Sequence, residues 1–93
     1  MRYIMANKRA LKKNVNLICD ELYIDFIAAS LYGNTHDDKI LANIVETIDK
    51  MQSNTLSRIS HPEPGMSKGK YFKDLKIQFK TSVLEIADQI SNL

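Results

Sequence analysis

Between Asn7 and Tyr32 the chain runs for 26 residues without a glycine or a proline, and Gly33 follows at once. Within this stretch Leu11, Val15, Ile18, Leu22, Phe26 and Ala29 recur at steps of three and four, the spacing that keeps side chains on one face of an α-helix. The pattern predicts a helix over about 7–32. Asn7 is its expected N-cap, and Gly33 supplies the residue tolerant of positive φ that closes many helices. A second apolar set, Leu17, Ile24, Ala28 and Leu31, lies roughly 140–150° around the same cylinder at about 100° per residue. One helix with two apolar faces needs more than one neighbour.

The remaining chain supplies two partners. Gly33-Asn34 reads as a tight reversal, and Thr35 with Asp38 three residues on resembles a capping box. A helix over about 36–59 would bury Ile40, Leu41, Ile44, Ile48, Met51 and Ile59, with Val45 widening that face. Weak helix formers between Ser53 and Ser57 predict fraying or bending in its last turns. Residues 60–69 hold both prolines, Pro62 and Pro64, and break the helical pattern. A third helix is expected over about 70–91 with Phe72, Leu75, Phe79, Val83, Ile86 and Ile90 inward. Ser67 is a candidate cap, which would place Gly69 in the first turn. Apolar alternation with period two is absent. Ninety-three residues support one core. The expected fold is therefore an all-α, antiparallel three-helix bundle, up-down-up, as a single domain over 1–93. The ten-residue second connection permits either handedness.

Charge is unevenly distributed along this topology. Residues 1–19 balance at +5, residues 20–49 at −6 and residues 50–80 at +5, within a net charge of only +2. An up-down-up path brings the start of helix 1, the end of helix 2 and the start of helix 3 to one end. That end is basic and the end around Gly33 is acidic. Lys8, Arg9, Lys12, Lys13, Lys70 and Lys73 are the candidate contacts for an anion or nucleic acid, which such a field would steer. Contacts of this kind would be weak and salt-sensitive, resting on phosphates alone.

Catalytic and metal-binding patterns find little support. His61 and Glu63 stand in a Pro-stiffened connector, and the acids of His36-Asp37-Asp38 suit a helix start. Glu46/Asp49 and Glu85/Asp88 have one-face spacing, yet the Glu-x-x-His element of di-metal bundles is missing. Cys19 sits beside the inward stripe, distant in sequence from both histidines, and reads as a buried inert thiol. Phosphate-cradling glycine loops and nucleophile elbows are lacking. Among aromatics near the basic segments, only Tyr3 and Tyr71 are candidates for stacking on bases. A single cysteine excludes an internal disulfide and favours a reducing, cytoplasmic setting. Asp20, Glu21 and Asp25 interrupt the most apolar stretch, so a membrane span is not expected.

The strings Asn7-Lys8-Arg9-Ala10-Leu11-Lys12-Lys13, Arg58-Ile59-Ser60-His61-Pro62-Glu63-Pro64-Gly65-Met66 and Tyr71-Phe72-Lys73 resemble a family of short helical bacterial proteins without an assigned activity. That resemblance implies a small helical protein and transfers no site. The resulting expectation is a non-enzymatic interaction module with no cofactor and no metal. It would pair with itself as a homodimer, or with another protein, through Leu17, Ile24, Ala28 and Leu31. The alternative is a nucleic-acid- or ribosome-associated protein that uses the basic end.

Overall fold

The computed structural model describes residues 2–33 and 37–93, with side chains from residue 8 onward. Three helices form, α1 Arg2–Tyr32, α2 Asp38–Ser60 and α3 Lys68–Ser91, and strands are absent among the described residues. The protein is an all-α three-helix bundle in which every helix packs on the other two. Its extents are 49 × 22 × 16 Å. At 1.5 Å per residue a 31-residue helix is about 46 Å long, so α1 sets the long dimension.

Each inward stripe meets the others where spacing placed it. Val15, Cys19 and Leu22 from α1, Ile44, Ile48 and Ile59 from α2, and Leu75, Phe79, Ile86 and Ile90 from α3 form the buried core. Leu11, Ile18, Phe26, Ala29, Met51, Phe72 and Val83 are half-buried around it. Ile40 departs from expectation. It is 46% exposed, because it stands in the first turn of α2, beyond the last layer of the core.

Helix boundaries also differ. Asn7 does not cap α1, because helical hydrogen bonding continues back to Arg2; the leader extends the helix and does not fold over the bundle. The capping box assigned to Thr35 lies outside the described residues, as do Asn34 and His36. Asp37 holds the cap of α2, its carboxylate accepting from the Lys39 N–H at 2.9 Å. That cap suits the short carboxylate reach and the positive end of the helix dipole. Ser53–Ser57 is helical, and α2 continues without a break to Ser60. Thr55 in its middle is buried, and tertiary packing overrides a weak local propensity. Ser67 caps α3 as expected, accepting from the Lys70 N–H at 3.3 Å with Gly69 in the first turn.

Gly33 is required for a reason other than its dihedral freedom. Positive φ occurs at no described glycine, and the Gly33 N–H donates to the Ala29 carbonyl at 2.7 Å, continuing the helical ladder. A Cβ here would stand 2.5 Å from the carbonyl oxygen of Leu93. The contact puts the ends of α1 and α3 together, so those two helices run parallel. One flank of α1 bonds α2, through Asn16 accepting from Gln52 at 2.9 Å and the Tyr23 hydroxyl donating to Asp49. The opposite flank, with Ala10, Leu11 and Asn14, faces α3. Viewed from the N-terminus of α1, the right-handed screw of that helix then orders α1, α2 and α3 anticlockwise.

Candidate interaction surfaces

Two surfaces stand apart from ordinary solvated helix faces. The first is the outer side of α1. Leu17, Ile24 and Leu31 are 51%, 65% and 68% exposed, and Ala28 beside them is exposed too. All four expected positions therefore lie on one face, opposite the core stripe that the neighbouring helices bury. Neither the leader nor the Pro-containing connector covers them. Leu17, Ile24 and Leu31 are seven residues apart, a repeat that drifts only about 20° per step along a straight helix. Ile27, 55% exposed, widens the strip. On α3, Ile77 and Leu84 form a smaller outer strip with the same spacing.

The second surface follows from the parallel run of α1 and α3. Their N-terminal segments part to leave an open cleft of about 440 Å³. Half-buried Leu11 and Phe72, with the exposed Ala10, supply its apolar lining, while Lys8, Lys68, Lys73 and Lys76 supply its positive charge. Of the six cations expected at the basic end, the cleft gathers Lys8 and Lys73. Arg9, Lys12, Lys13 and Lys70 do not line it. Lys68 and Lys76 join it although sequence reasoning passed over them; the parallel register that aligns them with Lys8 is a tertiary fact. Among the described residues the one ion pair is Glu46 with Lys50, exposed and one turn apart on α2, so no carboxylate forms a salt bridge with the cleft lysines.

Two other groups at the basic end are committed internally. The Tyr71 ring is buried, its hydroxyl donating to the Arg58 carbonyl at 2.9 Å, so it offers no platform for a base. Buried phenols of this sort need such a partner. The Arg58 guanidinium stands 5.9 Å from the Tyr71 ring centroid and donates to Gln78 at 2.6 Å. Phe72, edge-on to Tyr71, is the aromatic that reaches the cleft.

Reactive chemistry is sparse. Cys19 has no exposed surface, and burial, aided by the neighbouring Asp20 charge, pushes its thiol up to about 11. At neutral pH it holds its proton and is a poor nucleophile. Groups of three or more His, Cys, Asp or Glu able to share a metal ion do not occur among the described residues. A second groove, between α2 and α3, is mixed in charge, with Lys50 and Glu85 on its walls and Met51 and Ile86 beside them. Among the described residues no helix is long and apolar enough to cross a membrane.

Comparison with known proteins adds one partial likeness. Over 39 residues the chain is 46% identical to the DNA polymerase alpha-binding protein of Saccharomyces cerevisiae, a match covering 42% of this chain. The chain spans about 4% of the length of that curated relative. No family model matches, and neither does any solved structure.

Proposed function

We infer that this protein is a small helical interaction module that associates with itself through the outer face of α1. The observation that carries this reading is the exposure by half or more of Leu17, Ile24 and Leu31 on one straight strip. Monomers seldom leave contiguous apolar strips in water, since every such side chain gains when it is buried. A twofold antiparallel pairing centred on Ile24 sets Leu17 against the partner's Leu31 and Ile24 against the partner's Ile24. It also offsets Asp20 and Glu21 from their own copies by about 12 and 9 Å along the helix axis, at 1.5 Å per residue. One surface thereby serves both subunits. A specific interface needs roughly 1,000 Å² in total, and a strip this narrow suits an association at the weak end. The name of the yeast relative, DNA polymerase alpha-binding protein, is compatible with an interaction role and extends no partner to this chain. The resemblance to short bacterial helical proteins adds no activity.

Sedimentation of the wild type against a Leu17→Glu, Ile24→Lys double variant tests the proposal. Dimer converting to folded monomer is the expected outcome. A wild type that remains monomeric at high micromolar concentration rules the interface out. The alternative, a nucleic-acid-associated protein, draws on the convergence of Lys8 and Lys73. It predicts a complex with mixed RNA or DNA that dissociates as salt rises.

A further inference from the structure

We propose that the cleft between the N-terminal segments of α1 and α3 is a docking groove for an acidic amphipathic helical segment of a partner protein. This goes beyond self-association and is independent of it, since the groove uses residues 8–14 of α1 and the apolar strip residues 17–31. Three observations converge. The lining combines the apolar Ala10, Leu11 and Phe72, the latter two half-buried, with Lys8, Lys68, Lys73 and Lys76, and includes no acid. Apolar anchors flanked by carboxylates complement that arrangement, the helix-in-groove mode of recognition. The walls, residues 8–14 and 68–76, are about 9–12 Å long at 1.5 Å per residue, which matches two turns of a docked helix.

Gly69 is the third observation. It weakens the first turn of α3, as glycine does in any helix. The fold does not require it: φ is not positive, and a Cβ built there meets nothing within 4 Å. Yet Gly69 lines the cleft, and a side chain there would project into the open space. The lysines carry a similar cost. Lys68 and Lys70 lie in the first turn of α3, which holds no acid, so their charge opposes the helix dipole. A fold selected for stability alone would place Asp or Glu at such positions.

Nucleic acid fits the groove less well. A single-strand site stacks successive bases along a basic track, and this cleft offers one ring, that of Phe72, over a length of about two nucleotides. Farther along α1 a polyanion would meet Asp20, Glu21 and Asp25, all exposed.

Fluorescence anisotropy on the full chain tests the proposal. The probe is a short labelled helical peptide with Leu and Phe at i, i+3 and i+7 and glutamates on both flanks. The comparison probes are the same peptide with glutamine flanks and an oligo-dT of equal charge. The glutamate peptide is expected to bind at least about tenfold more tightly than either. Two variants locate the site. Lys8→Gln with Lys76→Gln should weaken the peptide by about tenfold. Gly69→Glu should do the same while leaving the melting temperature unchanged or raised, because an acid in a first helical turn favours the helix. The proposal is overturned if the glutamate peptide fails to bind, if glutamine flanks bind equally well, or if Gly69→Glu leaves affinity intact. Tighter binding of oligo-dT than of the peptide assigns the cleft to nucleic acid instead. Because Leu17→Glu, Ile24→Lys lies outside the groove, it should retain peptide affinity whatever it does to the dimer.

Discussion

Ile44, Ile48, Ile59 and Leu75 each lie within 2% of complete burial, and the stability of so small a bundle rests on side chains of this kind. Truncating Ile44 or Phe79 to Ala removes buried methylenes and leaves a void the helices only partly close, so each should cost about 2–5 kcal/mol in urea unfolding. Ile40→Ala, at a 46% exposed position, should stay within about 0.5 kcal/mol. Equal losses at Ile40 and Ile44 would mean that the first turn of α2 packs differently. Cys19 provides a pH test. Its folded pKa of about 11 lies above the ordinary thiol value of 9.0, so the folded state favours the protonated form. That contribution is complete below about pH 9 and is lost as pH rises through 11, where unfolding releases a proton the native thiol retains. Wild type should therefore lose stability relative to Cys19→Ala between those pH values. Below pH 8 the native thiol should be inert to a thiol reagent and react only after denaturation; rapid native labelling would show that the core opens.

At the scale of the helices, Gly33 and the α1 strip are the points of interest. Placing Ala at Gly33 sets a Cβ 2.5 Å from two backbone carbonyl oxygens, of Leu93 and of Ala29, the second held in the helical ladder. Gly33→Ala should destabilise by about 1–3 kcal/mol in thermal or urea unfolding, the range for overpacking. A neutral result would mean that α1 and α3 separate freely at that end. The strip on α1 predicts orientation as well as association. In a Cys19→Ala background, Ile24→Cys should crosslink across an antiparallel twofold, whereas Leu17→Cys should not, because Leu31 faces it. Crosslinking through both positions would indicate a parallel pair. The faces of these helices were legible in the apolar spacing, since a period near 3.6 has one geometric meaning. Their ends were not. Asn7 is a residue type that caps helices, yet the turn before it stays helical, and Asp37, not Thr35, caps α2. Local capping signals compete among neighbours, and the outcome depends on where the next helix must dock.

Considered whole, the molecule is an electrical dipole with little internal compensation. Lys8, Lys68, Lys73 and Lys76 share one cleft, and the only ion pair among the described residues is the exposed Glu46–Lys50. Repulsion among like charges that burial does not shield is screened by salt, with a Debye length falling from about 30 Å at 0.01 M to 10 Å at 0.1 M. The urea midpoint should therefore rise modestly from low to moderate salt, and Lys68→Gln with Lys76→Gln should flatten that rise. A midpoint that falls with salt would show that attraction between the basic and acidic segments dominates.

Three amphipathic stripes, separated by Gly33 and by a connector with two prolines, were enough to settle helix number, inward faces and the up-down-up path. Those are consequences of periodicity and of where a backbone cannot remain helical, and both are written residue by residue. The outer strip of α1 was legible on the same basis, because a face opposite the core is a matter of angle along one helix. The anticlockwise order of the helices, the burial of Tyr71 and Thr55, and the gathering of Lys8 with Lys68, Lys73 and Lys76 were decided only by tertiary packing. Each depends on the register between helices joined by a connector long enough to turn either way. That register follows from how three cores fit together, the close approach of Gly33 to Leu93 included, and no spacing within a single helix encodes it.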